Sequence, residues 1–156
     1  MDILIYQKIE PYFYELVQKT LKDNHIHVTN QSEAYIISIL CDFLKQEKLN
    51  NISKDESSFP TLFSIYKEAA TSINSFNSYR NLGDLSLFVV GFFDEYINRR
   101  HSLNDRNYYL QMGSGAYWRA SKLSNHIVFN SVFSELSIKF EDLVNALSKI
   151  SNEIHL

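Results

Sequence analysis

The chain has 156 residues, 45% of them apolar and 14% aromatic, with 15 Lys plus Arg against 18 Asp plus Glu and a formal net charge of -3. A chain of this length can bury roughly two-thirds of its unfolded surface, so it needs neither disulfides nor metal to be stable, and its composition argues against disorder. The slight acidic excess disfavours nucleic acid and anionic membranes as partners. A single cysteine, Cys41, excludes an internal disulfide framework and a multi-cysteine zinc site and fits a reducing cytoplasm.

The N-terminus is acidic at its second residue and lacks both a basic stretch and a cleavage-site pattern, so it does not read as a secretory signal. No apolar run approaches the roughly 20 residues that span a bilayer, and no membrane association is expected. Apolar residues recur at three and four positions rather than two, and four glycines and two prolines are too few to punctuate a many-stranded sheet. The expected fold class is all-α: a compact single-domain bundle of about six helices over residues 1–156.

The first helix runs from about Ile5 to Lys22, with Pro11 kinking it or marking its start, and carries Ile9, Tyr12, Phe13, Leu16, Val17 and Leu21 on one stripe. A second follows Ser32 as N-cap and ends near Lys48. Lys48 to Ser58 reads as a loop, and Pro60 opens a third helix through Ile73. The fourth, Asn81 to Arg99, is apolar nearly all round between Leu85 and Phe93, as a helix surrounded by others should be. A fifth begins after Asn104 or Asp105 and ends near Leu123. The last spans Ile127 to Ser151, where Phe129, Phe133, Leu136, Phe140, Leu143, Leu147, Ile150 and Ile154 form a heptad seam. That seam packs inside the bundle, with a homodimer through the last helix as the alternative.

Residues 80–119 differ from the rest. All four glycines (Gly83, Gly91, Gly113, Gly115), all five arginines (Arg80, Arg99, Arg100, Arg106, Arg119) and Trp118 fall there, and no lysine does. Arginine offers a planar fork that lysine lacks, so the window demands geometry. Pairing with Asp84, Asp94, Glu95 and Asp105 is the structural way to meet it, and an acidic partner or anionic ligand is the functional one. Arg99 and Arg100 end a helix, where cations suit the carbonyl pole. Gly91, Gly113 and Gly115 imply either close helix packing or a pocket floor between Tyr108, Tyr109, Tyr117 and Trp118.

The strings Gly83-Asp84-Leu85-Ser86-Leu87-Phe88, Gly91-Phe92-Phe93, Tyr108-Tyr109 with Met112-Gly113, and Ala116-Tyr117 resemble an uncharacterised family of small all-helical bacterial proteins. Ser32-Glu33-Ala34-Tyr35, Leu40 and Asp42-Phe43 are similar to its N-terminal part. The resemblance implies a bacterial, cytoplasmic, helical protein and transfers no activity, cofactor or site.

Catalytic patterns are weak. No Glu and His lie three apart on two helices as a di-iron bundle needs. His25 and His27 read as solvated loop residues without a ligand set, although a haem ligand stays open, and no metal is expected. Cys41 lies on an apolar face with no electropositive neighbour in sequence. Met112-Gly113-Ser114-Gly115 follows no strand and precedes no Lys-Ser or Lys-Thr. Adjacent Asp94 and Glu95 point about 100 degrees apart on a helix. No cofactor is expected, and an enzyme ranks third. The leading reading is a non-catalytic protein-interaction module that binds an unidentified protein through Arg99, Arg100, Arg106, Tyr108 and Tyr109. The alternative is a small-molecule sensor or carrier, its pocket between the fourth and fifth helices lined by Tyr109, Tyr117 and Trp118, with an arginine such as Arg119 holding an acidic group.

Overall fold

Asp84 is the one charged residue in a stretch, Leu82 to Phe93, whose every other member is buried. That stretch sets the architecture, because a helix apolar on all sides needs neighbours on all sides. The computed structural model describes residues 2–49, 75–94 and 103–154, with side chains over 11–45, 75–94 and 106–154. It is an all-α bundle: α1 (Asp2–Asp23), α2 (Asn30–Leu49), α3 (Phe76–Phe92), α4 (Leu103–Leu123), α5 (Ile127–Ile138) and α6 (Phe140–Glu153), with no strand among the described residues. The expected loop at 48–58 lies almost wholly, and the helix after Pro60 entirely, outside them. None of the helices is long and apolar enough to cross a membrane among these residues.

Helix α3 is the expected fourth helix, and it starts earlier than Asn81. Ser75 caps it, its Oγ accepting from the Ser78 N–H at 3.3 Å. In α2 the cap also lies upstream of the expected residue. Thr29 Oγ1, not Ser32, accepts from a first-turn amide, that of Ser32 at 3.3 Å, while Ser32 is buried inside the turn. Thr29 is itself held by a distant residue: its N–H and hydroxyl both donate to Glu135 Oε1, at 3.0 and 2.9 Å. Pro11 lies inside α1, which continues through it.

The largest departure is at the C-terminus. The single last helix expected from the heptad is two, α5 and α6, bent at Lys139 (φ -100, ψ 18). No glycine or proline marks the bend. Backbone bonds continue on both sides, from Lys139 N–H to Glu135 and from Leu143 N–H to Lys139, each 3.0 Å. The bend lets α5 lie on α4 and α2 while α6 lies on α3 and α1. The seam turns with it: Phe133, Leu136, Phe140, Leu143, Leu147 and Ile150 are all core residues, and only its first member, Phe129, is exposed.

Close approach is concentrated at three glycines. A Cβ on Gly83 would come within 2.5 Å of the Tyr117 ring, and one on Gly91 within 2.7 Å of Leu147 Cβ. At Gly113 it would fall on the Phe140 ring and 2.8 Å from Ser86 Cβ. Gly91 therefore admits α6, and Gly113 admits both α3 and α6. Hydroxyls close the α4–α5 gap, with Ser114 Oγ donating to the Ser137 carbonyl (2.9 Å) and Ser137 Oγ to the Ser114 carbonyl (2.8 Å). Gly113→Ala should destabilise the fold by about 1–3 kcal/mol, as overpacking does, read as a lower midpoint in urea unfolding; an unchanged midpoint would show that Phe140 has room to move.

Candidate functional site

Two groups of residues stand apart from ordinary packing, one inside the bundle and one outside. The inner group centres on Asp84 of α3. Tyr117 of α4 donates its hydroxyl to Asp84 Oδ1 at 2.7 Å, and Tyr35 of α2 lies 2.9 Å from both carboxylate oxygens. One carboxylate thus ties three helices, and Tyr117 is fully buried between the rings of Phe133 and Phe140 while it does so. Burial pushes the Asp84 carboxyl up to about 6, against the opposing pull of the two phenol hydrogen bonds and the Arg80 charge, with Asp42 adding to the rise. Burial likewise raises both tyrosines, reinforced by the Asp84 charge, so they remain hydroxyl donors. With both carboxylate oxygens engaged by phenols, this is a structural tie rather than a reactive acid.

Arg106 has a similar duty. Its Nε lies 3.1 Å from Asp94 Oδ1, Nη2 donates to Asn145 Oδ1 at 3.2 Å, and Nη1 is 3.9 Å from Glu141. The guanidinium fork therefore clamps α4 to the end of α3 and to α6. This is the ion-pair use of arginine that the sequence permits. Tyr109 is in the core, with Tyr108 edge-on to it at 5.8 Å. Arg99 and Arg100 lie outside the described residues. The expected grouping of Arg106 and Tyr109 with Tyr108 on one recognition surface is not formed, because the first two point inward. Nor do Tyr109, Tyr117 and Trp118 converge on a space beside Gly113, where Phe140 and Ser86 stand.

The outer group is on α4. Tyr108, Gln111, Gly115, Trp118, Arg119 and Lys122 are all exposed and recur at helical spacing along one face. Tyr108 is 58% exposed and Trp118 45%. Arg119 lies 5.6 Å from the Tyr79 ring centroid and donates to its hydroxyl at 3.4 Å, and Lys122 Nζ stands 4.3 Å over Trp118. Among the described residues neither cation has a carboxylate in ion-pair range. Gly115 has nothing within 4 Å of where its Cβ would be. An open glycine in a helix interior costs about 1 kcal/mol relative to alanine, and no close packing among the described residues accounts for it.

Beside this face an open groove of about 380 Å³ runs between α4 and α5, lined by Ser121, Lys122, Asn130, Ser131 and Ser134. Beyond it Ile127 is 82% exposed, with Val128 and Phe129 following. No set of three or more His, Cys, Asp or Glu side chains could hold a metal ion among the described residues. Sequence reasoning named Tyr108, Trp118 and Arg119 but passed over Asp84 as a tie; its signal was a lone carboxylate inside an apolar run. No protein-family model, curated protein or solved structure matches the chain.

The raised Asp84 carboxyl has a definite sign. The folded state holds its proton more tightly than the unfolded chain, so this stabilisation is complete below the ordinary carboxylate value of 3.8 and is lost as pH rises through about 6. Glu135 is the opposite case. Partial burial raises it, but hydrogen bonds from Ser32 and Thr29 and the Lys139 charge outweigh that and leave it below 4.5. Its contribution is therefore present above 4.5 and fades in more acid solution. Unfolding free energy should rise by about 1.4 kcal/mol between about pH 7.5 and about pH 5, and Asp84→Asn should flatten that slope in chemical denaturation. An unaltered slope in the variant would assign the titration to another group.

Proposed function

We propose that this is a non-catalytic protein-interaction module that binds its partner through the outer face of α4. The observation that carries the reading is the division of that helix. On its inner side Tyr109, Ala116, Tyr117 and Ala120 are buried and the Tyr117 hydroxyl is satisfied. On its outer side Tyr108, Trp118 and Arg119 stand exposed, the three residue types that most often dominate binding energy. Exposed aromatics on a folded surface are free to bury area against another chain without rearranging the core.

A small-molecule sensor or carrier needs room between α3 and α4, where Phe140 and Tyr117 fill the space around Gly113 and Gly83. An enzyme needs an acid, base or nucleophile open to substrate, and the Asp84 carboxylate is held by two phenols. A bacterial, cytoplasmic setting accords with the resemblance and with the lone cysteine. Self-association through the C-terminal heptad is less favoured, since six of its members are core residues. Affinity capture from a lysate of the source cell, comparing the native chain with Tyr108→Ala plus Trp118→Ala, should lose a specific protein by about tenfold or more while the thermal midpoint stays within about 1 °C. Equal recovery by both would remove this face from binding, and an added small-molecule mass in native mass spectrometry would favour the carrier.

A further inference from the structure

We propose that the outer face of α4, centred on Gly115, docks an acidic amphipathic helix of a partner protein. The inference rests on the interaction reading above and adds the partner's chemistry and the mode of contact. Gly115 stands at the middle of the face, with Tyr108 and Gln111 toward one end and Trp118, Arg119 and Lys122 toward the other. From Tyr108 to Lys122 the face is about 21 Å long at 1.5 Å per residue. The missing Cβ makes a notch in that stripe, since nothing lies within 4 Å of its position. A crossing helix can approach there to the lower end of the usual interaxial range of about 8–10 Å. The aromatic rings on either side then close over its flanks.

Charge selects the occupant. Arg119 and Lys122 rest on the Tyr79 and Trp118 rings and, among the described residues, face no carboxylate. Side chains held this way keep their donors available, and a partner Asp or Glu one turn from the crossing point completes them. Apolar residues on the partner helix meet Trp118 and Tyr108. An anionic bilayer suits the face less well, because the whole chain carries a net charge of -3 and lipid recognition usually draws on about four to eight clustered cations. A second copy is also a poor match. The acidic first turn of α6, Glu141 and Asp142, is backed by an apolar face already buried in the core.

The test is to pan the immobilised full chain with a displayed library of amphipathic peptides of about 18 residues, long enough to hold a helix. Selected peptides should be enriched in Asp and Glu next to an apolar stripe and should bind more weakly as salt rises. Gly115→Leu should weaken them by about tenfold or more while raising the thermal midpoint by about 3 °C, because the notch is filled and helix propensity gained. Arg119→Glu with Lys122→Glu should abolish binding of the acidic peptides with the fold intact. Selected peptides indifferent to Gly115→Leu would overturn the docking mode and leave the interaction reading standing. Failure to select any peptide would count against both. Binding only to vesicles of phosphatidylserine and phosphatidylcholine, or a dimer dispersed by Gly115→Leu, would replace the acidic helix with a membrane or a second copy.

Discussion

Helix α3 passes through the interior with Leu85 to Phe93 buried without a break, and the rest of the molecule is arranged around that fact. A helix with no solvent face gains burial on every side, but it must also be approached on every side. Gly83 and Gly91 supply two of the approaches by admitting Tyr117 and Leu147, and Gly113 supplies the reciprocal one from α4. Packing this close leaves no slack for a stray polar group. Ser86 satisfies its hydroxyl on the Leu82 carbonyl at 2.6 Å, and Asp84 draws in the phenols of Tyr35 and Tyr117.

Asp84 also explains why the tie is made of tyrosines. A carboxylate this deep is expensive to ionise, and pairing it with an equally buried cation would add a second desolvation cost. Two phenols supply charge-assisted hydrogen bonds without bringing a charge, and their rings serve as core: Tyr35 packs edge-on against Phe133 at 5.2 Å and Tyr117 stacks on the same ring at 5.7 Å. Arg80 acts on Asp84 through charge while its guanidinium lies 5.9 Å from the Phe76 ring centroid. Polar and aromatic duties are thus carried by the same side chains, which gives α2, α3 and α4 one relative placement rather than a sliding contact.

Periodicity made the helices legible, because a 3.6-residue apolar repeat is local information, and it correctly put the centre of the bundle on the run from Leu85 to Phe93. The bend at Lys139 was not legible. No residue there disfavours helix, and the heptad reads straight through it; the cause is tertiary, in that α5 and α6 serve different neighbours. The cap of α2 was missed for a related reason. Thr29 takes the place of Ser32 because its entry into the bundle is fixed by Glu135, distant in sequence. Among the candidate site residues, identity was visible but direction was not. Adjacent Tyr108 and Tyr109 differ by 100 degrees around the helix, which sends one to solvent and the other to the core.

The same limit applies to Gly113 and Gly115, two residues apart and indistinguishable by composition. The first is packed against two helices and its presence follows from the fold; the second faces open space, and the described fold offers it no such reason. Sequences tend to satisfy local and global rules together, and the places where a local rule is broken without a packing return are where function is to be sought. On α4 several such departures coincide on one face: a helix-weakening glycine, cations that among the described residues rest on rings instead of carboxylates, and two exposed large aromatics. None contributes to the core that the inner side of the helix completes. A surface selected only for solubility would have filled position 115 with a helix former and paired Arg119 and Lys122 one turn away. Among the described residues this face does neither, while the inner side of the same helix is packed against α3 and α6, and that contrast is what the proposed interaction reading rests on.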